Sequence, residues 1–111
     1  MKALLSGYRQ SPRKMRVVAD FVRGKTIAQA LVSLKMLPRR ASKPIAKLLN
    51  SAVANAKASD QEANPEQLVI KEIRVDEGVT LKRHRARARG RSAMIRKRTS
   101  HVRVELVAKK K

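Results

Sequence analysis

A chain of 111 residues has room for one domain with a modest core and too little for two. Its formal charge of +20 excludes an ordinary enzyme surface, because a protein this basic repels itself unless a polyanion neutralises it, and that points to nucleic acid. With no cysteine and only His84 and His101, neither a disulfide framework nor a zinc site is available, so no cofactor or metal is expected.

The hydrophobic pattern changes period in an ordered way along the chain. After a short apolar start at Ala3 to Leu5, "SPRKMRVVADFVRGK" predicts a helix with Ser11 as N-cap and Pro12 in the first helical position. Met15, Val18, Ala19 and Val22 form its stripe, and Gly24 stops it. Thr26 caps a second helix with Ile27, Ala30, Leu31 and Leu34 on one face, closed by Pro38. A third runs from about Ser42 to Ala58, tolerating Pro44 in its first turn, with Ile45, Leu48, Leu49, Ala52, Val53 and Ala56 as its apolar stripe. The acidic, turn-rich "SDQEANPEQ" reads as a connector. "QLVIKEIRVDEG" then predicts a half-buried strand with Val69, Ile73 and Val75 at even spacing and a turn at Glu77-Gly78. A last strand, "HVRVELV", sets Val102, Val104 and Leu106 opposite Arg103 and Glu105, and Lys109 to Lys111 make a frayed basic tail. The fold class expected is α+β, with three helices packed on a small antiparallel sheet of about three strands.

Between the last two strands lies "TLKRHRARARGRSAMIRKRTSH", with nine Lys or Arg and no acid. Arg83, Arg85, Arg87, Arg89 and Arg91 alternate with His84, Ala86, Ala88 and Gly90, which in an extended chain puts Arg on one face and small residues on the other. With Gly90 at or near a turn, residues 80–100 form a projecting basic β-hairpin with arms ~30 Å long at ~3.3 Å per residue. The base, residues 1–79 and 101–108, has an expected radius of gyration of only ~12 Å. A flexible solvated loop is the plainer alternative, but regular Arg spacing between two strand signals favours the ribbon. Such a ribbon has no core, and phosphates relieve its repulsion.

One Tyr and one Phe provide no aromatic platform for single-stranded bases, so recognition by shape and backbone is expected. Candidate RNA contacts are Lys82, Arg83, His84, Arg85, Arg87, Arg89 and Arg91 on the outgoing arm and tip, and Arg96, Lys97 and Arg98 on the return. A second cluster is Ser11, Arg13 and Lys14 at the first helix's N-terminus, a phosphate site or simply a capped start with solvated cations. The acids concentrate between Asp60 and Glu77, away from both His, so no acid–base pair or metal-binding carboxylate cluster is evident and no enzyme is expected. No apolar run approaches ~20 residues and the N-terminus has no apolar signal-peptide core, which predicts a soluble, unexported chain with no membrane partner. Composition leaves two binding readings open: a DNA-bending architectural protein with a basic β-ribbon arm, and a ribosomal protein that threads an extension into RNA.

The string "KRHRARARGR" followed nine residues later by "HVRVEL" resembles the signature of the bacterial-type large-subunit ribosomal protein twenty-two family. "SPRKMRVVADFVRGK", "LLNSAVANA", "VDEG" and "KRTSH" are similar to family segments too, so the resemblance covers Ser11 to Leu106. It implies a structural, cytoplasmic component of the large ribosomal subunit that binds ribosomal RNA and aids subunit assembly beside neighbouring ribosomal proteins. It also implies that the tip, Arg87, Ala88, Arg89, Gly90, Arg91 and Ser92, lines the nascent-peptide exit tunnel and meets the nascent peptide there. Val79 and Ala86 stand where family members often carry proline, so the approach to the tip is expected to bend differently.

Overall fold

A computed structural model describes residues 2–59, 64 and 66–108. Most of the expected acidic connector, at residues 60–63 and 65, and the whole basic tail at 109–111 lie outside the described residues. The elements run β1 (Lys2–Tyr8), α1 (Pro12–Val22), α2 (Ile27–Met36), α3 (Ser42–Ser59), β2 (Leu68–Glu77), β3 (Leu81–Ala86), one 3₁₀ turn (Ala88–Gly90), β4 (Ser92–Lys97) and β5 (Ser100–Ala108). The α+β expectation holds.

The three helices form where the apolar stripes placed them. Met15, Val18, Ala19 and Val22 on α1 are all buried, as are the six stripe residues of α3. On α2, Ile27, Ala30 and Leu34 are buried while Leu31 reaches only partial burial. Thr26 caps α2 as expected, its Oγ1 accepting from the Gln29 N–H at 3.3 Å. Ser11 occupies the N-cap position of α1, but its side chain makes no capping hydrogen bond. Gly24 ends α1 at φ +80, in the left-handed region that glycine enters without steric penalty.

All three helices lie on one face of an antiparallel sheet of order β1-β5-β2. Val102, Val104 and Leu106 of β5 meet the helices, and Ile73 and Val75 join them from β2. Two expectations need correction here. Ala3 to Leu5 is more than an apolar start, because Lys2–Tyr8 forms a full edge strand against β5. Val69 is only partly buried and Leu68 and Ile70 point inward instead, since the β2–β5 register shifts by one residue between Ile70 and Glu72 and reverses the alternation.

The edge of β2 is covered by α1 and the turn that follows it. Arg23 donates to the Ile73 carbonyl at 2.9 Å and Arg16 to the Val75 carbonyl at 3.3 Å, while the Ile70 N–H donates to the Lys25 carbonyl at 3.1 Å. These contacts blunt a strand edge that a second chain could otherwise extend. They also assign Arg16 and Arg23 to the scaffold.

The hairpin grows directly from β2 and β5. Glu77 pairs with Ser100 and Leu81 with Lys97, so three residues on one side, Gly78 to Thr80, face two on the other, Arg98 and Thr99. The expected turn at Glu77-Gly78 is therefore a neck. The Gly78 N–H donates to the Thr99 carbonyl at 2.9 Å, and the Thr99 hydroxyl donates to the Val79 carbonyl at 2.7 Å. A Cβ on Gly78 would sit 2.5 Å from Thr99 Oγ1 and 3.1 Å from His101 Nε2. His101 in turn fills a bulge in β1, where Ser6 and Gly7 face it alone, and its Nδ1 accepts from the Gly7 N–H at 2.9 Å. The fully buried Ser100 donates its hydroxyl to the Gln10 carbonyl. Gly78→Ala is expected to destabilise the chain by about 1–3 kcal/mol through overpacking at the neck, read as a lowered melting temperature. An unchanged melting temperature would show that the neck opens without strain.

Candidate nucleic-acid interface

The ribbon is a two-stranded ladder, β3 against β4, separate from the main sheet. The whole of β3 is exposed, and every β4 residue except the partly buried Ala93 is exposed as well. The molecule is drawn out to 66 × 26 × 16 Å with a radius of gyration of 17.2 Å, well above the ~13 Å of a compact domain near this length. Directly paired residues share a face. Arg83 opposes Ile95 and Arg85 opposes Ala93 on one side, while Lys82 opposes Arg96, His84 opposes Met94 and Ala86 opposes Ser92 on the other. The sequence pattern thus holds for Arg83 and Arg85, whose cross-strand neighbours are uncharged. It does not make a purely small-residue second face, because Lys82 and Arg96 meet there.

The alternation stops at the tip. The Arg87 N–H donates to the Arg91 carbonyl at 2.6 Å and closes a loop around Ala88, Arg89 and Gly90. Arg89 (φ 62) and Gly90 (φ 72) both take left-handed conformations. A non-glycine residue there costs about 1–2 kcal/mol, and Gly90 has open space around its missing Cβ, so the backbone angle alone calls for glycine. The consequence is that Arg89 leaves the alternation, while Arg87 and Arg91 stay extended and bond to each other in the register of the ladder, on the Arg83–Arg85 side. The expectation that Gly90 lies at the turn holds.

The remaining candidates converge on the base. A concave groove of roughly 930 Å³ is walled by Arg9, Arg13 and Lys14 before and in the first turn of α1, by Arg39 and Arg40 in the α2–α3 connection, and by Arg96, Lys97 and Arg98 at the ribbon's root. Ser11 lies in the same wall, and Val17, Pro38 and Ala41 contribute apolar surface. Among the described residues, eight cations and no acid line this groove. Two clusters more than 80 residues apart in sequence, Ser11 to Lys14 and Arg96 to Arg98, are therefore one site, while Lys82, Arg83, His84 and Arg85 stay out along the arm. The uncapped start of α1 adds the positive end of its dipole. The Gln10 amide oxygen at this groove is buried and has no hydrogen-bond partner among the described residues.

Arg9, Arg39 and Arg40 escape a reading of the sequence alone. The signal that could have found them is "PRR" after α2: the proline ends a helix at the end of the molecule where α1 begins, and two cations follow it at once.

Among the described residues, the paired acids lie elsewhere. On the sheet face turned away from the helices, Lys71 pairs with Glu105 at 3.8 Å, and Arg74 pairs with Asp76 at 3.4 Å and Glu72 at 4.0 Å. Asp20 pairs with Arg23 beside β2. Among the described residues, none of the groove's cations has a carboxylate partner, and no group of three or more His, Asp or Glu is placed to hold a metal. No described helix is long and apolar enough to cross a membrane.

The sequence profile of the family described as Ribosomal protein L22p/L17e matches residues 3–107. The large ribosomal subunit protein uL22 of Desulfitobacterium hafniense (strain DSM 10664 / DCB-2) is 50% identical over 109 residues, covering 98% of this chain and 95% of its own. Its namesake in Bifidobacterium animalis subsp. lactis is 49% identical over 97% of this chain and 94% of its own, and that of Rubrobacter xylanophilus 48% over 97% and 84%. A match over nearly the full length, carried on a helix-covered sheet with an Arg-rich ribbon, places this chain in the L22p/L17e family of ribosomal proteins.

Proposed function

We propose that this protein is a structural, non-enzymatic component of the large ribosomal subunit in the cytoplasm, and that it works by neutralising ribosomal RNA phosphates where several RNA segments converge. The observation that carries this reading is the segregation of charge: among the described residues Glu72, Asp76 and Glu105 are paired on the open sheet face and Asp20 beside β2, while no acid lines the groove or stands on the ribbon. Family membership supplies the assembly. The base docks on the subunit through Ser11, Arg13, Lys14, Arg96, Lys97 and Arg98, with Arg9, Arg39 and Arg40 beside them. The ribbon carries Lys82, Arg83, His84 and Arg85 into the RNA, where Arg can bind phosphate bidentately and alanine permits close approach.

The tip, Arg87 to Ser92, lines the nascent-peptide exit tunnel in this proposal. Its support is the 66 Å long axis, which lets one molecule touch the subunit surface and its interior together, and the family resemblance of the ribbon. Neighbouring ribosomal proteins are the remaining partners.

Three measurements check the reading. Tagged protein at native level should sediment with large subunits at close to one copy each after a moderate-salt wash; sedimentation with chromosomal DNA would favour a DNA-bending protein instead. Engagement of about ten phosphates predicts a log–log salt slope near −7 to −9 for RNA binding, and a slope of one or two would refute that count. Replacing Arg83, Arg85 and Arg87 with Ala is expected to impair incorporation into subunits while leaving the free chain's melting temperature nearly unchanged, since none of them is buried. A large loss of stability would mean that the ribbon belongs to the core.

A further inference from the structure

The groove at the foot of the ribbon differs from the ribbon in shape and in chemistry, and the two surfaces suit different forms of RNA. The ribbon is a narrow two-stranded ladder exposed on both faces apart from the partly buried Ala93, so it can lie between phosphate ridges of folded helices. The groove is concave, and its walls come from three segments distant in sequence, near Arg13, Arg39 and Arg98. A paired helix presents a wide ridge of phosphates with its bases turned inward, and such a ridge meets only the rim of a pocket of roughly 930 Å³. The apolar surface of Val17 and Pro38 within it would then face nothing, and Val17 is 52% exposed in the free chain.

An unpaired stretch satisfies both parts of the groove at once. Its phosphates turn toward the cationic walls, and its splayed sugars and bases reach the apolar surface. With no aromatic residue lining the groove, the planes available for stacking are guanidiniums, such as those of Arg39 and Arg40. We propose that this groove receives a short unpaired RNA segment, a bulge or loop of a few nucleotides, and so gives the base a preference for RNA structure that phosphate contact alone does not supply. The inference rests on the RNA-binding reading above and specifies the form of RNA that the groove takes.

The test uses the full chain and two RNA hairpins of equal length, one fully paired and one carrying a three-nucleotide bulge, with Kd measured at one fixed salt concentration and then along a salt series. The bulged hairpin is expected to bind about tenfold tighter, the scale of one base held against a desolvated guanidinium. Val17→Ser removes apolar surface at an exposed position, and is expected to cut that preference to about threefold or less with the salt slope unchanged. Replacing Arg83, Arg85 and Arg87 with Gln, outside the groove, is expected to weaken both complexes and keep the preference. Equal binding of the two hairpins with a steep salt slope would overturn this inference and leave the RNA-binding reading standing, as would a preference lost with the ribbon variant but kept by Val17→Ser. Failure to bind either hairpin would overturn both.

Discussion

Strands β2 and β5 form both the longest pairing of the base sheet and the root of the ribbon, so the hydrogen bonds between them must hold a projecting arm whose charges repel one another. The ribbon contributes no core of its own, and an isolated two-stranded hairpin is marginal in water. What steadies it is the ladder behind it. That ladder is anchored by Ile73, Val75, Val102 and Val104 under three helices, and is carried into the arm through Gly78, Thr99 and Val79. A side chain at Gly78 would crowd Thr99 and His101. His101 also fixes the β1 bulge, so the edge strand and the ribbon root share a residue. A histidine in such a basic protein invites a catalytic or RNA-contact reading, and here it is a joint.

Charge is arranged on the same plan. A chain of +20 must place its acids where they help folding without competing for the polyanion. Glu72, Asp76 and Glu105 lie on the open sheet face, where Lys71 and Arg74 answer them. Each exposed pair is worth little alone, since water and salt screen it. Their combined effect is to leave that face near neutral, while the groove and the ribbon keep an uncompensated field. Arg16 and Arg23 hold the edge of β2 through its carbonyls. The basic residues therefore divide into those that build the fold and those that the fold presents.

Much of this was legible in the sequence because helical stripes and strand alternation are local signals. The α1 and α3 stripes and the inward set on β5 followed directly from residue spacing. The failures share a cause in backbone irregularity. Val69 fell out of phase because a one-residue register shift precedes Glu72. The Arg alternation ended at the tip because Arg89 and Gly90 turn left-handed. β1 carries an apolar run only at Ala3 to Leu5 before Ser6 and Gly7 interrupt it, and its pairing with β5 spans nearly the whole chain. The groove was half visible: each of its charged clusters could be seen, but their meeting depends on how α1, the α2–α3 connection and the ribbon root come together in space.

That meeting gives the two cationic surfaces different energetics. Within the groove, Arg13 and Lys14 stand on α1, whose apolar face is already buried, so their backbone is held in place by the core. Only the Arg and Lys side chains there remain to be fixed, at about 0.5–1.5 kcal/mol for each one immobilised. The ribbon offers similar charges on a ladder with no core beneath it, and its tip holds Arg89 in a conformation that non-glycine residues resist. More of its ordering must be supplied by the RNA, through bidentate phosphate contacts and release of counterions. Preorganised cations on the base thus gain more from each phosphate than equally charged residues on the arm, and the arm's reach depends on the base having been fixed.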